Sequence, residues 1–360
     1  QALAGWAEGK LPGGKVGKHS AGDRILVATR GPLEGAGEWT HFHADGGNSA
    51  CSNDAVKLGP VDVQWFGRPG PRRMVDRHEK NVSPLYKDGR LFISGDNYVV
   101  AVDAYNGAVL WEHDVPGSIR LGAFKNCGSM VATDDTLYVA AADRCVGFDV
   151  ASGEKKLALA VPAEAAAEKC AWGYVASAED VLVGSVTKPG ATFRVQDVPT
   201  QTLIWRDYQP VVTSDALFAV DGHSGEPRWT YTPEKGVIVN PTIALGGGRV
   251  YCVESTNPET RKVPDGRIKL DALLGKGSNL RALDLKTGKT LWSEPVDLGR
   301  LEHVIFLSYA RETLLITGSR NVKIGEKERV RYGLLAFDAA TGKRLWQSTQ
   351  TPIPDPILPG

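Results

Sequence analysis

The stretch Ala101-Val-Asp-Ala-Tyr-Asn-Gly-Ala-Val-Leu-Trp111 decides the fold, because its spacing of Asp103, Gly107 and Trp111 returns along the chain. Around it the residues alternate with period two in short runs. The alternation predicts a strand near Ser83–Tyr86, a turn over Lys87-Asp-Gly89, strands over Leu91–Ser94 and Tyr98–Val102, and a fourth strand around Trp111. Asp103 opens the last turn, where a carboxylate accepts backbone N–H groups, and Gly107 supplies the positive φ that such a turn needs. Trp111 then offers a large ring to a neighbouring sheet. A lone four-stranded sheet needs such a neighbour to bury its faces.

The spacing recurs as Asp149, Gly153 and Leu157; Asp221, Gly225 and Trp229; Asp284, Gly288 and Trp292; and Asp338, Gly342 and Trp346. Intervals between the aspartates are 46, 72, 63 and 54 residues. They fit one four-stranded blade of roughly 40–50 residues per copy plus insertions. The expected fold is therefore all-β, a β-propeller of four-stranded antiparallel blades. Copy two carries Leu157 where the others carry tryptophan, which predicts a weaker seam there.

With 42% hydrophobic and 23% charged residues over 360 positions, the chain has the composition of a globular protein with a large core. Its 42 basic and 42 acidic residues cancel, so no global field directs it to nucleic acid or to an anionic membrane. No apolar run is long enough to span a bilayer as a helix. The chain begins at Gln1 without a charged-then-apolar leader, and the expectation is a piece of a longer protein. Residues 1–22 read as a linker or the tail of an upstream domain, and 23–360 as the propeller. Cys51, Cys127, Cys145, Cys170 and Cys252 lack paired metal-ligand spacing. They permit two disulfides and a leftover thiol, or five buried small hydrophobes.

The Ala-x-Asp-x-x-(Asn/Ser/Thr)-Gly-x-x-x-Trp copies resemble the tryptophan-docking repeat of the quinoprotein-like β-propellers, the pyrroloquinoline-quinone (PQQ) repeat family. Upstream, Glu38-Trp-Thr-His-Phe-His-Ala-Asp45, Asn48-Ser49, Cys51-Ser52 and Val63-Gln-Trp65 resemble the opening segment of the same propellers. Together the likeness covers about residues 38–350, or about six of the seven or eight blades with which such propellers close. Trp39, Trp65 and the arginines that follow also look like uncharacterised bacterial envelope proteins of this repeat class. That resemblance implies a periplasmic or other extracytoplasmic location. Dehydrogenases of the family hold PQQ over a Trp floor beneath a bridge between adjacent cysteines, with calcium on acidic and amide side chains and an Asp as base. Adjacent cysteines are missing here, no calcium-ligand motif can be placed, and no CxxCH haem site occurs. The expectation is a non-catalytic binding or assembly scaffold without a resident cofactor or metal; the alternative is a PQQ- and calcium-dependent alcohol or sugar dehydrogenase.

Strand direction locates the functional face. If the first strand of each blade runs from face X to face Y, the first and third turns lie on Y, and the second turn and the link to the next blade lie on X. The long insertions, about 185–216, 255–281 and 319–332, all fall in the second turn and so share face X, joined by 68–80. Segments 68–80, 255–281 and 319–332 each carry a surplus of three positive charges, and 185–216 is neutral. The residues expected to meet an anionic ligand or protein partner are Arg68, Arg72, Arg73, Arg77 and His78, then Arg267, Arg320, Arg329 and Arg331. Trp205, Arg206 and Tyr208 add an aromatic group that caps the channel or anchors its loop. His41, His43 and Asp45 alternate as metal ligands can, but also fit structural packing. Gly-x-Ser-x-Gly, P-loop and dinucleotide fingerprints are absent, and Gly246-Gly-Gly248 reads as a hairpin turn.

Overall fold

The computed structural model describes residues 15–18, 26–29, 34–55, 63, 65–67, 73, 82–118, 128–166, 169–193 and 210–349. β1 (Lys15–Lys18) and β2 (Leu26–Thr29) pair antiparallel with each other. Five antiparallel blades follow. Blade 1 is β3 (Leu85–Lys87), β4 (Arg90–Gly95), β5 (Tyr98–Asp103) and β6 (Val109–Asp114). Blade 2 is β7 (Met130–Ala132), β8 (Thr136–Ala141), β9 (Arg144–Asp149) and β10 (Lys155–Ala160). In blade 3, β11 (Ala171–Ala178) and β12 (Val181–Thr187) are separated from β14 (Ala216–Asp221) and β15 (Pro227–Tyr231) by an insertion that contains β13 (Val211–Ser214). β16 (Ile238–Val239) precedes blade 4, whose strands are β17 (Ala244–Gly246), β18 (Arg249–Ser255), β20 (Ser278–Asp284) and β21 (Thr290–Val296). Its insertion holds β19 (Arg267–Ile268) and the short helix α1 (Leu270–Leu274). Blade 5 is β22 (Ile305–Ala310), β23 (Thr313–Ile324), β24 (Lys327–Asp338) and β25 (Arg344–Thr349).

The insertions fall between second and third strands as expected, but they are built structure rather than open loops. β13 pairs with both β16 and β19, so the insertions of blades 3 and 4 extend one sheet. In blade 5 the insertion is a ribbon in which β23 and β24 stay paired from Thr313–Asp338 out to Ile324–Lys327.

The repeat residues close the turns and seams as their chemistry predicts. Asp103 Oδ1 accepts from the Tyr105 and Asn106 amides at 2.8 and 3.2 Å, and Asp149, Asp221 and Asp284 repeat the pattern. Asp338 accepts from the Thr341 amide. Backbone hydrogen bonds lower the Asp149 and Asp221 pKa values well below the carboxylate range. The glycine lies under the preceding blade's ring: a Cβ on Gly153, at φ +76°, would sit 2.6 Å from Trp111. The indole N–H of each ring donates to the carbonyl just after the aspartate: Trp65 to Ala104, Trp111 to Val150, Trp229 to Leu285 and Trp292 to Ala339, at 2.8–3.2 Å. Clusters such as Phe92, Trp111, Leu137 and Phe148 fill the seams. Trp346 has no such turn among the described residues and is 49% exposed, against 7% for Trp111.

Blade 2 lacks its tryptophan, and other groups stand in for the ring and its hydrogen bond. Leu157 takes the tryptophan's register, opposite Gly147, but the space under Gly225 is filled by Leu159. The missing indole bond is replaced as well. The buried Tyr138 hydroxyl, from the third position of β8, donates to the Gly222 carbonyl at 2.6 Å. Burial holds its pKa up at about 12, so the hydroxyl keeps its proton at ordinary pH. Tyr251 occupies the same position in β18 and donates at 3.3 Å to the Ala339 carbonyl, which already has Trp292. Tyr138→Phe therefore leaves a buried carbonyl bare and is expected to cost about 1–2 kcal/mol. Tyr251→Phe is expected to stay within about 0.5 kcal/mol of wild type. Urea unfolding of the two variants compares them; equal losses would mean that the Gly222 bond is not what holds this seam.

Candidate functional site

Residues 39–50 converge on the first strands of all five blades. Trp39 pairs through its backbone with Tyr86 of β3, the Ala132 amide of β7 donates to Thr40 O, and the Ser177 amide of β11 donates to His41 Nε2. The Leu245 amide of β17 donates to Gly46 O, and the Tyr309 amide of β22 to Gly47 O. Asn48 Nδ2 donates to the Ile243 and Leu307 carbonyls at 2.8 and 3.1 Å. A segment that reaches the same edge of five sheets lies where those edges meet, on the propeller axis. Because Ala132, Ser177 and Tyr309 lie near the ends that lead into the first turns, this plug closes the Y side.

The plug settles what His41 and His43 do. His41 is buried; since Nε2 accepts from Ser177, the neutral ring carries its proton on Nδ1, 2.8 Å from Thr40 Oγ1. Burial, against the pull of Asp45, lowers its pKa to about 4. His43 is also lowered by burial and meets Phe42 and Phe306 edge-on. Asp45 accepts from Ser49 through its amide and hydroxyl. No group of three metal-holding side chains occurs among the described residues. Cys51 and Cys252 are thiols, which leaves no room for two disulfides among five cysteines.

On face X the expected cations separate into two kinds. Arg73 pairs with Asp114 and lies over the Tyr98 ring, with its guanidinium carbon 4.2 Å from the centroid. Arg267 is turned inward: its guanidinium donates to the Gly190, Ala191 and Phe193 carbonyls and fastens the blade 3 insertion. Arg261 donates to the Pro233 and Gly236 carbonyls, and Arg281 pairs with buried Glu254. Most of the positive surplus of 255–281 is therefore structural, which net charge along the sequence does not reveal. Arg320, Arg329 and Arg331 stand on the blade 5 ribbon, where Arg320 and Arg331 are directly opposed. Arg68, Arg72, Arg77, His78, Trp205, Arg206 and Tyr208 lie outside the described residues.

A cleft of about 680 Å³ opens between blades 4 and 5 beside the ribbon. Arg300, Arg320, Arg331, Lys343 and Arg344 line it, opposed by Glu294 and Asp297. The sequence signals its cations but not the cleft, which needs the pairing register of a hairpin to be seen. No helix among the described residues is long and apolar enough to cross a membrane.

A family model described as "Outer membrane protein assembly factor BamB" (PQQ_2) matches residues 6–207 and 191–360. The chain belongs to this PQQ-repeat family. It is also similar to quinohemoprotein alcohol dehydrogenase ADH IIB of Pseudomonas putida, 31% identical over 144 residues, or 40% of this chain and 18% of the relative. The quinohemoprotein alcohol dehydrogenase of Comamonas testosteroni is 30% identical over 154 residues, with the same shares. Among solved structures, the P. putida ADHIIG enzyme superposes with TM-score 0.52 at 15% identity, covering 88% of this chain and 48% of that one. The C. testosteroni enzyme gives 0.50 at 16% identity, covering 88% and 49%. This PQQ-repeat chain thus spans about half the length of those structures, and at such identity the likeness is one of fold.

Proposed function

We propose that the chain is a non-catalytic binding or assembly scaffold of the bacterial envelope, which presents its basic face X to an anionic ligand or a protein partner. The observation that carries this reading is the fate of the buried titratable groups. His41 is fixed in the axial plug, Glu254 is bound by Arg281 and Tyr231, and burial pushes the Cys252 thiol pKa up. Each is occupied by structural contacts, so none is poised as an acid, base or nucleophile. By contrast the ribbon cations face a cleft. The family model's description, which names outer-membrane protein assembly, agrees with an extracytoplasmic place for such a scaffold.

The second reading, a PQQ-dependent alcohol or sugar dehydrogenase, rests on the two quinohemoprotein relatives. Incubating the purified chain with PQQ and calcium and recording dye reduction with alcohols and sugars separates the two. The expected result is a rate no higher than that of the cofactor alone; protein-dependent turnover would establish the dehydrogenase and remove the scaffold reading.

A further inference from the structure

We propose that the cleft between blades 4 and 5 binds an extended acidic peptide segment in which carboxylates alternate with apolar side chains. This deepens the scaffold reading and rests on it. The cleft arises from the ribbon. Gly318 and Gly333 face each other across β23 and β24, and the next pair on the same face toward the tip is Arg320 and Arg331, two positions on. A Cβ on Gly333 would meet nothing within 4 Å, so the absence of a side chain there leaves room in the cleft. Like charges directly opposed on two strands repel. Neither arginine forms an ion pair among the described residues, and neither do Arg300, Lys343 or Arg344. Arg331 Nε is shut off from water without a hydrogen-bond partner. A carboxylate between the two guanidiniums would relieve the repulsion and satisfy that donor, since guanidinium and carboxylate match in bidentate geometry.

The floor selects among anions. The half-buried Leu301 and Leu335 line the cleft together with its cations, and its volume of about 680 Å³ suits a short extended segment. A polyphosphate or nucleic-acid backbone would answer the charges and leave the aliphatic floor unmatched. A peptide in strand conformation brings both, because successive side chains point to opposite faces and every second one can be apolar. The recess also sets the ribbon arginines beside blade 4 rather than on a flat surface suited to a lipid bilayer.

Fluorescence anisotropy with a labelled peptide of alternating glutamate and leucine tests the proposal on the whole chain, with a lysine–leucine peptide as control. Two variants report different halves of the idea: Arg320→Ser/Arg331→Ser removes the charge pair, and Gly333→Leu fills the space without changing charge. Gly333 lies outside the left-handed region, so leucine is not excluded by its backbone. Each variant is expected to weaken the peptide about tenfold or more, with a thermal midpoint near that of wild type. Binding unmoved by Gly333→Leu would reduce the site to unspecific charge attraction and overturn the proposal, even if the arginine variant fails to fold. Tighter binding of polyphosphate, an oligothymidylate or phosphatidylglycerol vesicles, with the same sensitivity to both variants, would assign the cleft to those anions instead. Either failure leaves the dye-reduction result untouched, so the cleft and the scaffold reading fall separately.

Discussion

Glu254→Ala is expected to lower the free energy of unfolding by about 3–5 kcal/mol, the cost typical of leaving one member of a buried ion pair alone. Glu254 of β18 is 3% exposed and Arg281 of β20 is 9% exposed, and the guanidinium donates to Glu254 Oε1 at 2.5 Å. Tyr231 of β15 donates to Oε2 at 2.6 Å, and Arg281 lies 5.2 Å from the centre of the Tyr231 ring. The group therefore ties blade 3 to blade 4 inside the seam. Burial alone would lower the Arg281 pKa, but the bond to Glu254 outweighs it and the net shift is upward. Burial likewise raises the Tyr231 pKa, with Cys252 and Glu254 adding to it, so its hydroxyl stays a donor. Without Glu254 the guanidinium is left charged in a seam that holds no other counterion for it among the described residues. The double substitution Glu254→Met/Arg281→Met removes both charges and replaces them with apolar volume, and it is expected to recover most of the loss. Urea unfolding of both single variants and the double variant decides the matter. A double variant as unstable as the sum of the singles would mean that the two charges act independently.

How much of this was legible in sequence depends on how local the chemistry is. The turn of Asp103 and Gly107 is local: a carboxylate reaching amides two and three residues on, and a glycine at positive φ, are written in adjacent letters. So the blades, their order and the side on which insertions emerge could all be read. What fills the seam between blades 2 and 3 was not legible because its two substitutes sit elsewhere, Leu159 two residues beyond the docking position and Tyr138 on another strand. The plug was visible only as two histidines and an aspartate. Ala44, Asn48 and Ala50 adopt positive φ, a conformation that costs energy and is held by distant partners. Asn48 is fixed by carbonyls 195 and 259 residues away, which no local pattern announces. Charge counting failed at Arg261 and Arg267 for a related reason: a long cation can turn back to bind its own backbone.

That plug gives the fold an acid limit. His41 has a folded pKa of about 4 against 6.5 for an unburied imidazole, because burial disfavours the charged ring. A depressed pKa contributes stability that is present above pH 6.5 and is lost as pH falls toward 4, since the unfolded chain takes up the proton first. Integrated over that interval, the loss is about 3 kcal/mol. Protonation is opposed by geometry as well as by burial: a proton on Nε2 would confront the Ser177 N–H that now donates to it. The change is felt by every blade, because the segment carrying His41 is bonded to all five first strands. His41→Asn removes the titrating group and retains a side-chain acceptor for Ser177. It is expected to be less stable than wild type at neutral pH, but with a shallower fall in urea midpoint between about pH 6.5 and 4. Parallel pH profiles for wild type and variant would place the acid sensitivity elsewhere and remove the plug from the account.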